Sequence, residues 1–165
     1  MKKRFNREAY FLSTTIIVSF GSCALLSMML PALKFMSENT VGISYKVDGI
    51  YAIFGGEVLI ENVEFVFNFN LLSLVSYLLP LFGLVIGILA YKNRSEMFYI
   101  LSGVISLIGA LLILMEPLFF QAINNLANGF IVSIFAGPII GSISSLIAGF
   151  VAIGSGIKLH KDLAI

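Results

Sequence analysis

Glu116 is the residue best placed to do chemistry. It is the one acid attached to a long apolar run, and a carboxylate at membrane depth is by default a proton carrier or a cation ligand. It stands beside Pro117 and about five helical turns beyond the charged turn Lys92–Glu96, which puts it at the outer interface. Two roles compete there: anchoring, including a bond to the segment 41–70, or coupling and pore lining. Other reacting groups are scattered. The only aspartates are Asp48 in a loop and Asp162 in the tail, so no pair of acids exists for intramembrane peptide hydrolysis. His160, the only histidine, sits in a basic tail and reads as solvated. Cys23 is the only cysteine, which excludes an intrachain disulfide, a redox pair and a cysteine-rich metal site. No serine has a base within its own span. The expectation is therefore a protein that is not an enzyme, with no catalytic residues, no cofactor and no metal.

Composition sets the elements that must position Glu116. Of 165 residues, 59% are hydrophobic and 12% charged, with mean hydropathy +1.02, whereas soluble domains carry about a quarter charged residues. This is an integral membrane protein, and the lipid bilayer is its first partner. A net charge of +1 with segregated charges gives no nucleic-acid surface. Four runs reach the ~20 residues a membrane helix needs: about 9–36, 71–91, 97–118 and 131–157. Pro31 kinks the first or starts its exit, and Pro80 lies inside the second. A rival reading takes Phe20-Gly21-Ser22-Cys23 as a lipoprotein-type cleavage box after a signal peptide. Phe20 stands where a branched aliphatic is usual and the apolar run continues to Leu30, which favours a span.

Basic residues orient the bundle. Lys2, Lys3, Arg4, Arg7, Lys92, Arg94, Lys158 and Lys161 fall on the ends that four spans place on one side, leaving only Lys34 and Lys46 on the other. The positive-inside rule puts both termini in the cytoplasm, at the plasma membrane, and the first long loop outside. Tyr10, Tyr77, Tyr91 and Tyr99 lie toward span ends and read mainly as interface anchors.

The outer segment 41–70 alternates. Val41, Ile43, Tyr45 and Val47 face one way in a strand, and Asp48-Gly49 suits a type I′ turn into a return strand over Ile50–Phe54. After Gly55-Gly56, the run Val63, Phe65, Phe67, Phe69 alternates with Asn62, Glu64, Asn68 and Asn70, and only Val66 breaks the polar face. A small sheet with one aromatic face must cover it, on its own helices or on a partner. Beyond Pro117, Phe119, Ile123, Leu126 and Phe130 recur on one helical face, with Gly129 as a stop, so the third helix is expected to project past the membrane.

Small residues stripe the spans: Gly137, Gly141, Ser145 and Gly149 in the fourth, Gly83 and Gly87 in the second, Ser102, Ser106 and Ala110 in the third. Such stripes let helix backbones approach closely, within the bundle or between copies.

Four spans, both termini inside, a long first outer loop with alternating strands and a projecting third helix resemble the claudin-like tetraspan plan. That family's loop carries a Trp-centred signature with two cysteines, and this chain has no Trp and no cysteine there. The resemblance thus implies a β-sheet resting on a left-handed four-helix bundle and carries over neither the disulfide nor a paracellular role. The Phe-, Ile- and Asn-rich composition and the missing disulfide point to a bacterial membrane. The expected function is binding of a second copy or another membrane protein through Tyr45, Phe65, Phe67 and Phe69 and the Gly137, Gly141 and Gly149 faces. The alternative is a small transporter or channel subunit using Glu116.

Overall fold

The computed structural model describes residues 7–37, 44–60, 63–124 and 130–163. Four helices are long and apolar enough to cross a membrane, as expected of a multi-pass membrane protein. They are α1 (Arg7–Leu26), α3 (Leu71–Asn93), α4 (Glu96–Leu114) and α6 (Ala136–Leu163). The shortest, α4, has 19 residues and is roughly 28 Å long, which matches a ~30 Å hydrocarbon layer. They close into a ring in which α1 packs on α3 and α6, and α4 packs on α3 and α6. Local sequence fixes the ends. Asn70 Oδ1 accepts from Ser73 N (3.1 Å) to cap α3, and Ser95 Oγ accepts from Phe98 N (3.4 Å) to cap α4.

Between the spans lie short elements: β1 (Pro31–Ser37), β2 (Ser44–Asp48), α2 (Gly49–Phe54), β3 (Gly56–Ile60), β4 (Val63–Phe67), α5 (Glu116–Asn124) and β5 (Phe130–Ile134). One antiparallel sheet has the order β2-β1-β5, and a second is the hairpin β3-β4. Phe35 pairs with Tyr45 on one side and Val132 on the other. The segment between α1 and α3 therefore shares its sheet with a strand from the segment between α4 and α6.

The structure corrects several expectations. Residues 31–36, expected to finish the first span, form β1. Pro31 disfavours the helical conformation at Leu30, which is extended (ψ 159°), and the helix ends in a single 3-10 turn before it. Ile50–Phe54 is helical, not a return strand, and Asp48-Gly49 leads into α2 instead of turning a hairpin. Gly49, Ala52 and Ile53 are its buried face, a spacing of three and four that belongs to a helix. Ile131–Ile134, expected inside the fourth span, is strand β5, so that Pro138 falls in the first turn of α6, where a missing N–H is tolerated. Helix α4 stops at Leu114, and α5 begins separately at Glu116. Val41 and Ile43, and Leu126 and Gly129 of the expected stripe, lie outside the described residues.

The elements between the spans have their own core. Leu33, Phe35, Val47, Phe67, Phe120 and Val132 are buried together, with Tyr45, Val58 and Phe65 packed against them. Gly55 makes the turn from α2 into this layer with φ +73°, a conformation that favours glycine. Its place leaves no room for a Cβ beside the Phe67 carbonyl.

Candidate functional site

The residues singled out by sequence fall in three places. Phe67 is the centre of the first: only 4% exposed, it lies 4.9 Å edge-to-face from Phe120 and 5.9 Å in a stacked contact from Phe35, with Phe65 stacked at 6.2 Å. Such pairs add about 0.5–1.5 kcal/mol each beyond area burial. The aromatic face is covered by the chain's own β1 and α5. Tyr45 packs on the edge of this cluster, whereas Phe69, 50% exposed, has turned away and contacts Phe54 at 6.3 Å. Sequence reading missed Phe35 and Phe120. Phe35 was hidden in a run that looked like membrane helix, and Phe120 is one position off the expected stripe.

The second place is Glu116. It is fully buried at the first residue of α5, and Tyr77 Oη donates to its Oε2 at 2.7 Å. Tyr77 is buried as well, so it is a structural partner and not an interface anchor. Tyr10 and Tyr99 are likewise inside, bonded to Asp162 Oδ2 (2.9 Å) and Thr14 Oγ1 (2.8 Å). Glu116 lies beyond the end of the α4 span. Burial pushes its carboxyl from the ordinary 4.5 up to about 7, against the opposing pull of the Tyr77 hydrogen bond. Oε1 has no hydrogen-bond partner among the described residues, so the Tyr77 bond alone offsets the hydration that the ionised form loses on burial.

This makes stability depend on pH in a defined direction. The folded protein holds the Glu116 proton more tightly than the unfolded chain, so the contribution is whole below the unfolded value of 4.5 and is lost as pH rises through about 7. The span is worth roughly 3 kcal/mol. Glu116→Gln keeps a carbonyl for Tyr77 and removes the titration. Melting curves from pH 5 to 8 are expected to fall for the natural protein and to flatten for the variant; equal slopes would refute the assignment.

The third place is the bundle interior. A Cβ on Gly137 would meet the Ser27 carbonyl at 2.9 Å, and one on Gly149 would meet Leu107 Cδ2 at 2.8 Å and the Gly103 carbonyl at 3.1 Å. Gly141 faces Ser27 and, at 3.4 Å, the Ala24 carbonyl. These faces are used within the chain itself, between α6 and α4 at Gly149 and between α6 and the end of α1 with the turn that follows it at Gly137 and Gly141. Hydroxyls reinforce them: Ser102 Oγ donates to the Gly83 carbonyl (2.6 Å) and Ser145 Oγ to the Ser106 carbonyl (2.7 Å).

Among the described residues no three His, Cys, Asp or Glu side chains come together as a metal site. Glu96 meets His160 Nδ1 at 2.9 Å at the charged end of the bundle, a tie between α4 and α6. Compared with models of known protein families and with curated proteins, the chain matches none; its four apolar helices and small antiparallel sheet fit a tetraspan topology.

Proposed function

We propose that this is a non-enzymatic, claudin-like tetraspan protein of the plasma membrane, with both termini cytoplasmic, that acts by binding a second copy or another membrane protein through its outer β layer. The observation that carries this reading is Val66. It is 67% exposed on β4 while Phe67 beside it anchors the strand in the aromatic core, so an apolar side chain is held out on a fixed platform. Tyr51 and Phe54 on α2 and Phe69 are exposed on the same outer layer. A contact surface that is already rigid loses little conformational entropy on binding. The helix faces contribute less than the sequence suggested, because Gly137, Gly141 and Gly149 are occupied inside the bundle.

A single engineered thiol tests sidedness and contact together. Val66→Cys, made in a Cys23→Ser background because Cys23 is exposed, is expected to react with a membrane-impermeant maleimide in intact cells. A short bifunctional reagent at that position is expected to give one discrete cross-linked product. Labelling only after the membrane is opened would overturn the orientation, and a cross-linking pattern of monomer alone would overturn the binding role.

A second reading, a small transporter or channel subunit, is favoured by the burial of Glu116 against Tyr77. Proton or cation flux in vesicles, abolished by Glu116→Gln, would select it over the first.

A further inference from the structure

At the charged end of the bundle, opposite the β layer, a cleft of about 400 Å³ opens between α1 and α3, lined by Arg7, Ile88, Tyr91, Lys92 and Arg94. A second of about 390 Å³ adjoins it and shares Arg7 and Tyr91, adding Glu8 and Phe11. We propose that this cleft binds an anionic phospholipid, its phosphate held by Arg7, Lys92 and Arg94 and its acyl chains lying along Phe11 and Ile88. The inference is independent of the binding role proposed above.

The arrangement of charge and apolar surface along the helices carries it. Three cations from two antiparallel helices meet at one mouth, and the carboxylate of the pair of clefts, Glu8, lines only the adjoining one. One helical turn further into the bundle, each helix presents an exposed apolar side chain: Phe11, four residues after Arg7 on α1, is 61% exposed, and Ile88, four residues before Lys92 on α3, is 43% exposed. Four residues advance a helix by about 6 Å, so charge and hydrocarbon follow one another in the order of a lipid's headgroup and chains. A free phosphate would use the cations and leave the apolar step without a role.

The mouth is also held in shape. Arg7 Nε donates to Tyr91 Oη at 3.4 Å, and the Tyr91 ring meets Phe11 edge-to-face at 6.1 Å. A guanidinium has five N–H donors in a fixed fork that matches phosphate oxygens, and the Nε bond uses one. The carbonyls at the end of α3 would repel an anion, but the αL cap at Arg94 engages two of them. Arg94 N donates to the Tyr91 carbonyl (3.4 Å) and Ser95 N to the Ala90 carbonyl (3.0 Å). Basic clefts between membrane helices are a recurrent form of site for acidic headgroups.

The test uses the full chain in phosphatidylcholine bilayers with spin-labelled phosphatidylglycerol or spin-labelled phosphatidylcholine, whose spectra separate protein-bound from bulk lipid. Phosphatidylglycerol is expected to be preferred. Arg7→Gln with Lys92→Gln should reduce that preference by about fivefold for each cation removed. Lys158→Gln with Lys161→Gln removes equal charge from the same end but away from the cleft, and should leave most of it. Lys92→Gln alone, at an exposed side chain, serves if the double variant melts early in phosphatidylcholine. Equal losses in the two double variants would reduce the effect to diffuse attraction and overturn the site. Millimolar inorganic phosphate in phosphatidylcholine bilayers is expected to give no thermal stabilisation; stabilisation matching that by phosphatidylglycerol would overturn the lipid assignment in favour of a soluble anion.

Discussion

Phe67→Ser is expected to destabilise the isolated protein by roughly 3–5 kcal/mol, the range for truncating a buried phenylalanine. Phe67 is in ring contact with Phe35 of β1, Phe65 of its own strand and Phe120 of α5. Its removal opens the junction of both sheets with the helix above α4. The serine hydroxyl would add a polar group to an apolar cluster of Ala32, Leu33, Val47 and Val132, which costs further unless it finds a partner. Phe69→Ser, at a half-exposed ring outside the strand, is expected to change stability by less than about 1 kcal/mol. The measurement is thermal unfolding in detergent of the three proteins side by side. A Phe67→Ser protein that melts with the natural one would mean that the outer layer is not packed by this cluster.

The need to cover Phe67 was legible from alternation, because a strand with one aromatic face must hide it, whereas Phe69 of the same pattern lies beyond β4 and is half-exposed. The cover over Phe67 was not legible. Phe35 belongs to Pro31-Ala-Leu-Lys-Phe-Met, which by hydropathy alone extends the first span, and only the proline marks the end of the helix. The same ambiguity affected Phe130–Ile134: a short apolar run of branched residues is strand or helix depending on what it pairs with, and its partner β1 lies about a hundred residues away in sequence. The four spans themselves were legible because twenty apolar residues in a row have few alternatives.

The site residues divide in the same way. Glu116 stood out as an acid in an apolar context, but its partner did not, since a tyrosine six residues inside a span reads equally as an interface anchor. The pairing of Tyr77 with Glu116 joins α3 to the start of α5. Asn68 N reaches Asn124 Oδ1 at 2.7 Å at the other end of that helix. Helix α5 is thus tied at its start to α3 and at its end to the segment that leads into α3, with Phe120 in the core between them. The β layer is consequently a fixed extension of the bundle, which is what the contact proposed for exposed Val66 requires.

The glycine positions should separate into grades that small size alone does not give. A Cβ at Gly103 would meet the Gly149 carbonyl at 2.7 Å and Ile153 N at 3.0 Å, and one at Gly137 would meet the carbonyls of Ser27, Leu30 and Pro31 within 3.2 Å. Backbone cannot rotate out of the way, so Gly103→Ala and Gly137→Ala are expected to force α4 from α6 and α6 from the 3-10 turn and the start of β1 that follow α1, at about 1–3 kcal/mol each. Gly141 meets the Ser27 side chain first and backbone only at 3.4 Å. Gly141→Ala is therefore expected to be mild, while Gly141→Leu and Gly149→Leu should be as damaging as the backbone cases. Gly154 has nothing within 4 Å of its would-be Cβ; Gly154→Ala should be neutral or stabilise by up to about 1 kcal/mol, since alanine is the better helix former. Melting temperatures of the set in one detergent provide the check. If Gly103→Ala and Gly154→Ala shift the melting point alike, close approach of the α4 and α6 backbones is not what holds the ring together.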